Sequence, residues 1–185
     1  MDGKITYSRR KSLSLRIAPD GSLDIRAPIG MPRREIDRFL EEKADWIATH
    51  RAQVLRDRQQ GALHAIGAEQ LETLKELVRE PIYESLRRFA PQMGVNYGRV
   101  TIRCQKSRWG SCSSAGNLNF NCLLALAPGE VLDYVVVHEL AHRLHMDHSA
   151  AFWQEVEKVL PDYRVCRDWL RQNGGALLAR TGENG

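Results

Sequence analysis

The chain has 185 residues, is 43% hydrophobic and 27% charged, and carries a formal net charge of +4; this is the profile of one globular core with a small appendage and excludes a fibre or a charged tail. No apolar run approaches the roughly 18 residues a membrane helix needs, and the N-terminal MDGKITYSRRK lacks the apolar core of a secretory signal, so a cytoplasmic protein with no membrane partner is expected. Cys104, Cys112, Cys122 and Cys166 form no C-x-x-C pair, and in a reducing compartment they are expected as free thiols, with neither a zinc ribbon nor a disulfide frame.

Residues 4–27 read as a β-hairpin: SLSLRIA and SLDIRAP alternate apolar and polar side chains, and PDGS between them is a turn whose glycine supplies a positive φ. Two strands are not stable alone, so the hairpin needs something to pack on. A helix is expected from Pro32 to about Gln60, with Ile36, Phe39, Leu40, Lys43, Trp46, Ile47 and Val54 in a stripe of helical period. After a linker bracketed by Gly61 and Gly67, a second helix over residues 69–90 carries Leu71, Leu74, Val78, Ile82, Leu86 and Phe89 on one side, with a kink expected at Pro81.

RVTIRC then reads as a strand, QKSRWGSCSSAG as a loop, and NLNFNCLLAL as extended chain. Pro128 and Glu130 suit the first turn of a helix through VLDYVVVHELAHRLH, which is apolar on nearly every side and so marks a buried central element. A break is expected at MDHS, after which Ser149 caps a helix turning Phe152, Trp153, Val156, Val159 and Leu160 inward. A last short helix runs from 163 to Asn173. The element order gives an α+β fold with a small mixed sheet, divided into an accessory hairpin and long helix (1–60), a core (61–175) and a disordered tail (176–185).

Charge is uneven along the chain: residues 1–60 hold 13 Lys+Arg against 9 Asp+Glu, whereas residues 61–185 hold 14 of each. No acid occurs between Glu84 and Glu130, while Arg87, Arg88, Arg99, Arg103, Lys106 and Arg108 do. That window either draws in an anion or pairs with acids elsewhere in the fold. Arg9, Arg10, Lys11 and Arg16 on the hairpin give a candidate weak contact to nucleic acid, although no aromatic stacking platform accompanies them.

Four of the six histidines fall within VVVHELAHRLHMDHSAAFW. His138 and His142 lie one turn apart on one helix face, so two imidazoles converge on one point and can bind a single divalent ion such as zinc. Glu139, beside the first of them, suits the general base for an attacking water. The third ligand is open between His145, on the helix but too far along its axis, and His148, which the break can deliver from the side. The spacing to His148 matches H-E-x-x-H-x-x-G-x-x-H, with His145 where that pattern has its turn glycine. Glu155 or Glu157 from the next helix is the other solution.

KSRWGSCSSAGNLNFN, LDYVVVHELAHRLHMDHSAAFW and LPDYR together resemble the successive signatures of the YgjP-like metallopeptidase family, related to the SprT and WLM zinc-protease domains. The resemblance runs from about Arg99 to Leu170 and extends more loosely to the N-terminal hairpin and DRFLEEKADWI. It implies a zincin-like fold, one zinc ion on His138, His142 and His148, and Glu139 as catalytic base. The family's further β-rich stretch after the first long helix is replaced here by QGALHAIGAEQ. The RWGSC loop belongs to the same signature, with Arg108 as a substrate or oxyanion contact and Gly110 allowing close backbone approach. NLNFN, with Asn119, is a candidate cleft-lining edge strand for an extended substrate. A zinc-dependent metallopeptidase acting on a peptide or protein is therefore expected. The alternatives are a nucleotide phosphoanhydride hydrolase on the same site and a DNA-associated protease module. Nothing in the sequence sets an oligomeric state.

Overall fold

The computed structural model describes residues 3–18 and 20–181 and, within them, no side-chain placement for Ala62 and Leu63. It is mixed α+β, with two small mixed sheets, and divides into two compact units, Met1–Leu63 and His64–Gly185.

In the first unit, β2 (Ser14–Ile17) and β3 (Leu23–Pro28) form the expected hairpin, with Gly21 at φ 81° in its turn; Pro19 lies outside the described residues. Sequence reasoning missed a third strand, β1 (Gly3–Ser8), which pairs parallel to β3 and gives the order β1-β3-β2. The inward residues Leu23, Ile25 and Ala27 pack with Ile36, Leu40 and Ile47. The single helix expected from Pro32 is two, α1 (Arg33–Glu42) and α2 (Ala44–Leu63). The break is at Lys43, whose ψ of 8° leaves helical geometry while its N–H still bonds the Phe39 carbonyl. No proline or glycine stands there to announce it.

The second unit opens with α3 (Ala68–Gln92), which continues through Pro81. Its second sheet has the order β4-β6-β5, from β4 (Val100–Arg103), β5 (Gly110–Cys112) and β6 (Leu118–Asn121). NLNFN is therefore the central strand, parallel to β4 and antiparallel to β5, and the expectation of an edge strand there fails. Part of RWGSC supplies an edge instead. CLLAL is a 3-10 helix, Cys122–Leu126, not extended chain, because the Asn121 side chain caps it by accepting from Leu123 N–H at 3.1 Å.

α4 (Gly129–Ala141) is the buried centre: Val135, Val136, Val137 and Leu140 pack against Val78, Ile82 and Leu86 of α3, Phe120 of β6, and Phe152 and Val156 of α5 (Ala150–Val159). Burying each such side chain contributes about 1.5–3 kcal/mol. α4 ends at Ala141, sooner than expected, and the chain turns through residues 142–149 before Ser149 caps α5 by accepting from Phe152 N–H. α6 (Tyr163–Ala179) outruns its expected end, and Thr181 is buried, so the tail is ordered at least that far.

Cys104 and Cys122 form a disulfide, with Cα atoms 5.2 Å apart, which corrects the expectation of four free thiols. The cause is register: Arg103 pairs with Asn121 across β4 and β6, so the next residue on each strand is a cysteine beside a cysteine. Cys112 and Cys166 are free.

Candidate metal centre

The end of α4 turns His138 and His142 toward the same point, with ring centroids 5.0 Å apart. The chain after Ala141 stays tightly wound: Leu144 and His145 N–H both donate to the Ala141 carbonyl at 3.0 Å. Asp147 accepts from Ser149 N–H, and His148 is carried back so that its Nε2 lies 3.1 Å from His138 Nε2. One ligand atom from each of His138, His142 and His148 falls within 4.8 Å of the others, the one such group among the described residues. Phe152, fully buried, meets all three rings at 4.7–4.9 Å between centroids and forms their floor.

His145 does not join the group through its side chain. Its carbonyl accepts from His142 Nδ1 at 3.0 Å, which fixes the proton on Nδ1 and leaves the Nε2 lone pair directed at the cluster. No described non-glycine residue has a positive φ, so the turn does not need the glycine conformation that His145's position suggested. Glu155 and Glu157 pair with Lys158 and Arg164 and take no part.

Burial, reinforced by His142 and His148, pushes His138 down to about 3, so its imidazole is neutral. His138 Nδ1 is buried without a partner. Burial also lowers the pKa of His142, against the opposing effect of the His145 carbonyl. The cluster is thus a set of converging nitrogen donors, two of them, His138 and His148, in direct Nε2 to Nε2 contact. That donor set fits a divalent metal of borderline softness such as zinc.

Glu139 is 5% exposed, and burial pushes its carboxyl up to about 8, against the opposing charge of Arg108. Its Oε2 is buried and unpartnered. Gly110 makes room for it: a Cβ there would stand 2.5 Å from Glu139 Oε1 and 2.8 Å from its Cγ. The β5 edge thus abuts the acid because the loop has no side chain at that point.

Arg108 is exposed and acts on Glu139 through its charge. Lys106, Arg108, Arg99 and Arg103 make no ion pair among the described residues, whereas Arg87 pairs with Glu80 and Arg88 with Asp133. Asn119 is half-buried on β6, where it donates to Ser111 Oγ at 3.3 Å across the strand pair. Asn121, two residues on, was overlooked. Fully buried, it donates from Nδ2 to the carbonyls of Gln105 (2.7 Å) and Arg108 (2.8 Å), while its backbone N–H donates to Trp109. Its only signal in the sequence is a polar residue closing an apolar alternation. Trp109 packs on the core and against Gly174, and Tyr134 is buried between His138 and Tyr163, with burial raising its hydroxyl to about 12.

The model of the YgjP-like, metallopeptidase domain family matches residues 11–71 and 57–173. The chain belongs to that family. No curated protein matches this YgjP-like chain. Among solved structures it is similar to the metallopeptidase zymogen abylysin of Pyrococcus abyssi, with 26% identity over 50% of this chain and 93% of the other and a TM-score of 0.46. It is also similar to the metallopeptidase zymogen jannalysin of Methanocaldococcus jannaschii, with 19% identity over 50% and 95% and a TM-score of 0.45. No helix among the described residues is long and apolar enough to cross a membrane.

Proposed function

We propose that the chain is a zinc-dependent metallopeptidase with a zincin-like core, in which His138, His142 and His148 hold one zinc ion and Glu139 is the general base. The observation that carries this reading is the convergence of three imidazoles beside the buried Glu139, whose Oε2 has no hydrogen-bond partner. When bound, the ion supplies Lewis acidity, polarising a substrate carbonyl and acidifying water. Glu139 accepts the proton of the attacking water at Oε2 and returns it to the leaving amine. His145, through its carbonyl, keeps His142 in the ligating tautomer. Arg108, at the loop edge, is placed to attract a carbonyl oxygen as it gains negative charge.

The test is metal content and cleavage of an unfolded protein substrate by wild type and Glu139→Gln. Retained metal with cleavage lost supports the reading; cleavage at wild-type rate by the variant refutes the role of Glu139. A second reading, hydrolysis of a nucleotide phosphoanhydride at the same site, is favoured by Lys106 and Arg108, which make no ion pair among the described residues. Phosphate release from nucleoside triphosphates that Glu139→Gln abolishes, without any peptide cleavage, would select it.

A further inference from the structure

The pleat of the N-terminal sheet sorts its side chains cleanly. Leu15, Leu23, Ile25 and Ala27 face the core, so Ser14, Arg16, Asp24 and Arg26 face away from it, and the parallel register adds Lys4 and Thr6 to that outer face. Arg10, just beyond β1, folds over the same surface and donates from Nη1 to Ser14 Oγ at 2.8 Å. Arg10, Ser14, Arg16, Asp24 and Arg26 line an open pocket of about 260 Å3.

Three guanidinium groups share this cavity with one carboxylate. Asp24 lies 3.6 Å from Arg26, and neither Arg10 nor Arg16 makes an ion pair among the described residues. Arg10 Nε is moreover buried without a hydrogen-bond partner. A buried donor left unpaired costs about 1–3 kcal/mol, and like charges gathered around one hollow repel, so the pocket is built at a loss unless an acceptor occupies it. The missing acceptor must be anionic, small and able to take several N–H donors from planar guanidinium forks. A phosphoryl group meets all three conditions. The cavity is also below the roughly 300 Å3 at which pockets for whole drug-sized ligands begin, so it suits a group and its waters, not an entire cofactor.

We infer that the outer face of the N-terminal sheet carries a binding site for a phosphoryl oxyanion, held by Arg10, Arg16 and Arg26 with Ser14 beside them. The site is independent of the histidine cluster and of the function proposed for it. It differs from the contact expected from sequence, in that Arg26 enters and Arg9 and Lys11 are not needed.

The experiment uses the full chain titrated with inorganic phosphate by calorimetry and, separately, with a fluorescein-labelled single-stranded oligonucleotide by anisotropy. The variants are Arg10→Gln, Arg26→Gln and Arg16→Gln, the last a substitution on the solvent face that leaves the core untouched. The control removes three positive charges together elsewhere in the same unit, more than any single pocket variant does: Arg33→Gln with Arg34→Gln and Arg38→Gln on α1. Wild type is expected to bind phosphate saturably, each pocket variant to weaken it by roughly tenfold, as loss of a charge-assisted bond implies, and the control by less than about twofold. Binding must persist in His148→Ala, so that phosphate on the histidine cluster is not counted. If the oligonucleotide binds more tightly than phosphate and is displaced by it, with a salt slope about one unit shallower in the variants, the phosphoryl group belongs to a nucleic-acid backbone. If the oligonucleotide gains nothing over phosphate, the site takes an isolated phosphoryl group. No saturable phosphate binding, or equal loss in the α1 control, overturns the site.

Discussion

Replacing Glu139 by Gln in metal-free protein should stabilise the fold, and by more as pH rises. The carboxyl titrates near its ordinary 4.5 in the unfolded chain but, through burial, at about 8 in the folded one. Between those values the unfolded state has released its proton and the folded state has not, so the unfolded state binds fewer protons and stability falls with rising pH. Integrating that difference gives a loss of about 1 kcal/mol at pH 5 and about 4 kcal/mol at pH 8, relative to a neutral side chain of the same shape. Glutamine is such a side chain. Urea unfolding of chelator-treated wild type and variant, followed by tryptophan fluorescence, suits the measurement because Trp109, Trp153 and Trp169 lie in the unit that holds the site. The gap between the two proteins should widen by about 3 kcal/mol from pH 5 to pH 8. A constant gap, or a variant less stable at pH 8, would refute the reasoning, since either means the acid is not desolvated as its burial implies.

Gly110→Ala should lose about a hundredfold or more in kcat, because its Cβ displaces the Glu139 carboxylate, while metal content by atomic absorption stays near wild type. His148→Ala should lose the metal and His145→Ala retain it, since His145 serves through its backbone carbonyl; metal stoichiometry after dialysis decides, and equal loss in both would count against that assignment. Asn121→Ala leaves the carbonyls of Gln105 and Arg108 without a donor and should cost about 2–4 kcal/mol in a urea titration. Unchanged stability would show that water replaces the amide.

What could be read from the sequence was what is local. The i, i+4 spacing of His138 and His142, the all-round apolar character of α4, the cap at Ser149 and the glycine of the 20–22 turn depend only on neighbours within one element or one turn. What escaped was set by pairing between distant segments. GKITYS is a strand because it finds β3 some twenty residues on, with only its own weak alternation as a hint. Cys104 and Cys122 meet through the β4–β6 register, and neither cysteine's surroundings in the sequence predict it. Asn119 and Asn121 look alike in NLNFN. Once β6 is central, Asn119 faces Ser111 across the strand pair, while Asn121 closes the strand, caps the 3-10 helix and holds the loop that ends at Gly110.

His138, half-buried, and Glu139, buried, are adjacent on the same helix, and desolvation drives them in opposite directions. Burial keeps His138 neutral down to about 3, so stability is lost as pH falls from 6.5 toward that value, the unfolded histidine then binding a proton the folded one refuses. It keeps Glu139 neutral up to about 8, so stability is lost as pH rises from 4.5. A metal-free protein is therefore penalised on both sides of a narrow interval around pH 5–6. A cation placed among the imidazoles would take up their converging lone pairs and favour the ionised carboxylate next door, easing the penalty on the alkaline side. The site and the core are thus one problem with one solution. The apolar packing around α4 keeps His138 unprotonated, as the proposed ligand role requires, and the same packing would leave Glu139 to act as the proposed base only when a cation is beside it.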